Sequence, residues 1–172
     1  VTIHSEHPFL PPERDRSPVR RFRGRLPAPV TLWTSPGPAG LTVSSLLIAD
    51  GEPAELIGLI DPDSDLADAF AEQDTVAVSL LGSADQRLAD AFAGQTPAPG
   101  GPFRLAEWTD TDWGPVLTGT SAWLGARLVD RTTTAGWALL VRATIERVEL
   151  ADSTADALAH LRGRYGTVGI RS

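Results

Sequence analysis

Apolar and β-branched residues recur at a spacing of two along much of this chain, in short runs broken by proline, glycine and aspartate. Val30-Thr31-Leu32-Trp33-Thr34 alternates and is rich in β-formers, which predicts a strand. The turn Pro36-Gly37-Pro38-Ala39-Gly40 leads into a second run, Leu41 to Ala49, with small hydroxyl residues at its middle and a turn at Asp50-Gly51-Glu52-Pro53. Ala54 to Ile60 predicts another strand. Asp61-Pro62-Asp63-Ser64 then supplies a cap, Ser64 or Asp63, for a helix through Leu66, Ala67, Ala69 and Phe70. Val76 to Leu81 predicts a strand, and Ser83 caps a helix that sets Leu88, Ala91 and Phe92 on one face.

After a Pro/Gly loop from Gly94 to Pro102 comes an irregular aromatic stretch, Phe103 to Trp113. Strands follow over Val116 to Thr118, Ser121 to Val129 and Gly136 to Leu150, the last two as a hairpin. A short helix is predicted over Thr154 to Ala159, with His160 in it and without a role. Strands that follow one another with few crossover helices favour a mainly β fold. The expectation is a six- to seven-stranded antiparallel barrel with two or three short helices, not a doubly wound sheet.

Length and composition narrow the picture. At 172 residues, 42% hydrophobic and 22% charged, the chain suits one soluble domain. Residues 1–19, rich in proline and without periodicity, are expected to form an extended arm outside a domain of residues 20–172. Without cysteine there is neither a disulfide framework nor thiolate chemistry, which agrees with a cytoplasmic setting. All basic residues are arginine, so a lysine Schiff base is excluded. No apolar run spans a bilayer and the start lacks the apolar segment of a signal peptide, so no membrane partner is expected. A net charge of −7 argues against nucleic acid.

The candidate chemistry lies in the Gly40–Ser45 stretch. Thr42, Ser44 and Ser45 cluster hydroxyls and backbone amides where a phosphate could sit; the alternative is an ordinary strand whose hydroxyls face water. Arg20, Arg21, Arg23 and Arg25 fall within six residues and either hold a phosphate or form a solvated basic segment.

Six motifs in order resemble one family. Gly40-Leu41-Thr42-Val43-Ser44-Ser45, Glu52-Pro53, Leu59-Ile60-Asp61, the helix Ala84-Asp85-Gln86 with Leu88, Ala89, Phe92 and Ala93, the pair Trp113-Gly114-Pro115-Val116-Leu117 and Ala122-Trp123-Leu124, and Arg162-Gly163-Arg164-Tyr165 are similar to those of the flavin reductase-like family. Its members are FMN-binding split barrels of two-component monooxygenase systems. The resemblance implies FMN (or FAD, or a deazaflavin) as cofactor, NAD(P)H as co-substrate, a homodimer and an oxygenase partner. It places Thr42, Val43, Ser44 and Ser45 around the ribityl phosphate and Asp61 and Ser64 in a second phosphate-side loop. Ser79, Leu80 and Leu81 would border the ring, Phe92 would close the pocket, and Tyr165 would approach from the tail. Trp108, Trp113 and Trp123 suit either an aromatic interface or a core.

Three departures bear on function. Leu47 and Ile48 stand where the family often has Thr-Ser, removing two donors. Asp61, Asp63 and Asp65 bring carboxylates to the second phosphate loop, which repels a phosphate unless arginine compensates. Trp137 replaces a histidine that the family places beside the nicotinamide, and either stacks on a ring or fills the slot. His4 and His7 replace that imidazole only if the arm folds back. Three outcomes stay open: an NAD(P)H-dependent flavin reductase, a flavin- or deazaflavin-binding barrel without nicotinamide chemistry, and a barrel with no cofactor.

Overall fold

The structure, a computed structural model, describes residues 17–152 and 155–169. Most of the expected arm, with His4 and His7, lies outside the described residues. The chain runs through α1 (Pro18–Arg23), β1 (Ala28–Pro29), β2 (Thr31–Ser35), β3 (Ala39–Val43), β4 (Leu46–Ala49), β5 (Glu55–Ile60), α2 (Asp65–Ala69), β6 (Thr75–Leu80) and α3 (Gln86–Phe92). It continues through β7 (Trp108–Thr109), β8 (Val116–Leu117), β9 (Ala122–Asp130), β10 (Thr134–Ala135), β11 (Ala138–Leu150), β12 (Ala157–Leu161) and β13 (Arg164–Val168). Helix α1 went unpredicted: Ser17 Oγ accepts the Arg20 amide and Pro18 opens the first turn, where its missing N–H costs nothing.

The main sheet has the order β3-β2-β6-β9-β11-β5-β4, with β10 added beside β11. All of its ladders are antiparallel, as expected. Its two outermost strands, β3 and β4, are neighbours in the chain, parted only by Ser44-Ser45. A sheet whose edges are tied by a two-residue link must curl until they meet. Since β3 and β4 do not pair, the barrel stays split along that seam.

Alternation sorts the side chains onto two faces. Inside the curl, Trp33, Val43, Leu56, Ile60, Val76, Val78, Val141 and Ala143 pack with Leu66 and Phe70 of the α2 segment. On the outer face, Val30, Leu32 and Leu81 meet Leu88, Ala89 and Phe92 of α3, Leu117 and Leu158. Strand β2 is buried on both sides, as a central strand should be.

The helix predicted over Thr154–Ala159 is corrected. Thr154 lies outside the described residues, and Ala157–Leu161 is a strand, β12, paired with β1 and β13. Leu158 explains the outcome: its amide donates to Leu81 O at 2.8 Å, its carbonyl accepts from Val30 N at 3.0 Å, and its side chain is buried. These long-range pairings outweigh the local helix preference of an alanine-rich segment. His160 therefore sits on a strand, edge-to-face with Tyr165 at 5.6 Å.

Trp33 is the largest side chain in the barrel interior. Trp33 is fully buried; its Nε1 donates to Thr31 Oγ1 at 3.1 Å, and that hydroxyl donates to the Val43 carbonyl at 2.6 Å. Across the interior the ring lies on Gly58 of β5, where a Cβ would come within 2.4 Å of it. Gly58→Ala is therefore expected to destabilise the fold by about 1–3 kcal/mol through overpacking. Urea denaturation checks this, and an unchanged midpoint would contradict the contact.

Candidate functional site

The Ser44-Ser45 link sits where backbone pairing stops. The β2–β3 ladder ends at Thr31 opposite Val43, and the β4–β5 ladder begins at Leu46 opposite Gly58. Both serines are half-buried, and their hydroxyls make no hydrogen bond among the described residues. The Ser45 carbonyl accepts from Leu59 N at 2.9 Å, fastening the link to the end of β5. The Asp61–Ser64 loop follows two residues later, so the structure brings both predicted phosphate-side segments together.

Other predicted residues have hydroxyls engaged in the fold. Thr42 Oγ1 donates to Ala89 O of α3 at 2.7 Å. Ser64 Oγ caps α2, donating to Asp61 O at 2.7 Å and accepting from Ala67 N at 3.2 Å. Ser79 is buried on the α3 side of the sheet and its Oγ accepts from Leu117 N at 3.2 Å. Val43, Leu81 and Phe92 are buried in the two cores, Phe92 edge-on to Phe103 at 4.9 Å. Leu80 is partly exposed, in register with Thr31 and so two strands from Val43. The open donors among these hydroxyls are those of Ser44 and Ser45.

Charge is distributed unevenly. Asp61 Oδ1 accepts the Asp63 amide at 2.9 Å, which ties that carboxylate into its own loop. Arg20, Arg21, Arg23, Arg25 and Arg87 form no ion pair among the described residues. Helix α1, which carries the first three of those arginines, lies against the turn between β12 and β13 through the Arg162 amide and the Gly24 carbonyl, 2.7 Å apart. No cluster of metal-ligating residues occurs among the described residues.

Tyr165 packs against the outer core. Burial, the charge of Asp90 and a hydrogen bond to it push its phenol well above the ordinary value. At the far hairpin, Asp130 ends β9. Its carboxylate accepts from Thr133 Oγ1 at 2.6 Å, Thr132 N at 2.9 Å, Thr132 Oγ1 at 3.1 Å and Thr133 N at 3.4 Å, and these bonds hold its pKa down to about 2. An aspartate followed by two threonines was the available signal. A cleft of about 160 Å³ opens between Thr109, Thr118, Thr120 and Trp123, below the roughly 300 Å³ of a small-molecule pocket. Its threonines already bond to each other or to Leu80 O and Ala122 O.

Residues 23–169 match the family described as "Flavin reductase like domain". The chain belongs to the flavin reductase-like family. An FMN reductase (NADH) RutF of Ancylobacter novellus is 30% identical over 122 residues, 69% of this chain and 67% of that protein. An NADH:FMN oxidoreductase of Rhodococcus erythropolis is 32% identical over 143 residues, 79% of this chain and 71% of that one. Among solved structures, an NADH:FAD oxidoreductase of Streptomyces globisporus superposes with a TM-score of 0.80 at 21% identity, covering 95% of this chain and 98% of that one. BorF, the flavin reductase component of a bacterial two-component tryptophan halogenase, gives 0.76 at 22% identity, covering 89% and 99%. These likenesses agree with the split barrel built up from the strand pairings.

Tyr165 is the single tyrosine of this flavin reductase-like chain, so ultraviolet titration reads it alone. An unfolded tyrosine loses its proton near 10.0, whereas the folded phenol keeps it beyond that. The folded state thus holds this stabilisation fully below that pH and loses it as pH rises further. The expected trace shows no phenolate until well above pH 10, or until the chain unfolds; ionisation at the ordinary value would contradict the contact with Asp90.

Proposed function

We propose that this chain is an NAD(P)H-dependent flavin reductase that binds FMN with its phosphate at the Ser44-Ser45 link. The observation that carries the site is the pair of hydroxyls without partners among the described residues, beside amides that lie beyond both ladders, at the seam of a flavin reductase-like barrel. Such amides and hydroxyls suit an anion without needing a cation in contact. Bound flavin supplies the hydride acceptor; the chain's part is to hold it and keep its ring accessible. Thr42, Ser64 and Ser79 serve the site by fixing the segments around it, not by donating to the cofactor. Val43, Leu81 and Phe92 back it from the cores, Leu80 borders it, and Asp61 shapes the second loop.

The names of the relatives support this reading. Two are an FMN reductase (NADH) and an NADH:FMN oxidoreductase, which favours NADH as donor and FMN as acceptor. BorF and a nitrilotriacetate monooxygenase component B from Mycobacterium thermoresistibile suggest reduced flavin passed to a separate oxygenase. The outer surface of β4 and β5 supports a homodimer in this reading. There Leu47 and Leu59 are exposed, and β4 presents an unpaired edge; pairing with a second copy would cover both. A cytoplasmic setting agrees with the absence of cysteine, and no helix among the described residues is long and apolar enough to cross a membrane. Residues 20–172 form the cofactor-binding domain in this reading.

A second reading, a flavin or deazaflavin carrier without nicotinamide chemistry, is favoured by Leu47 and Ile48, whose exposed apolar side chains give no donor to a ring carbonyl.

FMN and riboflavin, which lacks the phosphate, separate the phosphate site from the ring site. Ser45→Ala should weaken FMN binding by about tenfold, the loss of one hydrogen bond to a charged group, and leave riboflavin unaffected. Fluorescence titration measures both, and equal losses, or none, would contradict the assignment. Anaerobic NADH should then bleach the bound flavin; persistence of the yellow band would favour the carrier.

A further inference from the structure

Six arginines gather at one end of the molecule. Arg20, Arg21, Arg23 and Arg25 lie on and just after α1, and Arg162 and Arg164 lie at the β12–β13 turn. The Arg162 amide donates to Gly24 O at 2.7 Å and joins the two segments. All six side chains belong to exposed residues, and none makes an ion pair or a side-chain hydrogen bond among the described residues. Partners are not scarce, since the chain has 22 acidic residues against 15 basic ones. Those on the α3 segment, which packs on Leu158 of β12, are engaged elsewhere: Asp85 accepts the Gly82 amide at 2.8 Å, and Asp90 bonds Tyr165. The exposed acidic residues of α2 and its loop stand at the other end of β6, which runs from α2 to Leu81 and its bond with Leu158.

Two further features mark this surface. Leu161 pairs with Arg164, so Arg162-Gly163 is a two-residue loop, with φ of +53° and +77°. That is the I′ pattern, which favours asparagine, aspartate or glycine at its first position. Arg162 is the single non-glycine residue with positive φ among the described residues, an unfavourable backbone for an arginine. The other feature is apolar exposure. Helix α1 buries none of its residues, and Val19 and Phe22, one helical turn apart, are 78% and 67% exposed. Apolar side chains ringed by arginine have the composition of a protein-binding surface.

We propose that α1 and the β12–β13 turn form a docking surface for an acidic protein segment that carries apolar side chains among its carboxylates. The unpaired guanidinium groups pair with the carboxylates, and Val19 and Phe22 cover the apolar side chains. Charge favours a segment over an extended anionic surface. The whole chain carries −7, so a membrane or a nucleic acid is repelled by the rest of the molecule, whereas a segment touches the patch alone. A merely solvated basic stretch needs neither Arg162 in a left-handed turn nor Phe22 in water. The surface is independent of the flavin reductase assignment.

The test is fluorescence anisotropy of the full chain with a labelled synthetic peptide, a Leu-Phe pair flanked by glutamates, and with its counterpart carrying glutamine in their place. At low salt the glutamate peptide should bind about tenfold more tightly than the glutamine peptide, and salt should shrink the difference. Arg21→Glu combined with Arg23→Glu should raise the Kd for the glutamate peptide by about tenfold, while Arg147→Glu on β11 should leave it unchanged. Phe22→Ala, which alters no charge, should raise it about fivefold. The thermal midpoint should not move, because α1 buries no side chain. No preference for glutamate, or one Kd across the arginine variants, would overturn the proposal. So would an unchanged Kd in Phe22→Ala, which would reduce the surface to charge attraction. Sedimentation with phosphatidylcholine vesicles containing about one third phosphatidylserine, lost in the Arg21 and Arg23 variant, would make this a lipid-facing surface and overturn it as well.

Discussion

The barrel depends on one indole resting on one glycine. Trp33 reaches across the interior from β2 to the backbone of Gly58 on β5, in the space that a Cβ would occupy. Its ring nitrogen is satisfied by Thr31, whose hydroxyl is satisfied in turn by Val43 O, so the ring is buried without an orphaned donor. Because β2 and β5 are drawn towards one another, the outer strands β3 and β4 are brought to a common seam. Ser44 and Ser45 are the chain's passage across it.

That passage accounts for the chemistry available there. Inside a ladder, amides answer to a neighbouring strand and side-chain hydroxyls tend to find carbonyls, as Thr31 and Thr34 do. At the seam the Ser44 and Ser45 hydroxyls make no hydrogen bond among the described residues, so these donors stay open. The acidic loop beside the link looks unfavourable for a phosphate, but Asp61 is turned onto the amide of Asp63.

Much of the fold was legible in the sequence, since alternation survives where one face is buried. The strand at Thr31–Ser35, the long hairpin of β9 and β11, and the helix capped by Ser64 followed from pattern and punctuation, as did α3. Ser83 is not the cap of α3, since that helix starts at Gln86 and the Asp85 carboxylate accepts the Gly82 amide just ahead of it. The family was legible from six ordered motifs. What was hidden depended on distant partners. Ala157–Leu161 has helical composition, and only pairing with β1 and β13 and the fit of Leu158 between Val30 and Leu81 make it a strand. The short helix α1 escaped notice because its six residues carry no buried face to give a period. At the site, a hydroxyl in a motif says nothing of what it already bonds. Thr42, Ser64 and Ser79 look like ligands in a string and prove to be engaged with Ala89, Asp61 and Ala67, and Leu117. Gly58 looked incidental until Trp33 was seen resting on it.

A crystal structure of the chain grown with excess FMN tests the central claim most directly. The account predicts phosphate oxygens within hydrogen-bond distance of the Ser44 and Ser45 amides and hydroxyls, with the flavin ring running from the seam towards the β5–β11 corner. Flavin density elsewhere, or only solvent beside the two serines at saturating FMN, would contradict it.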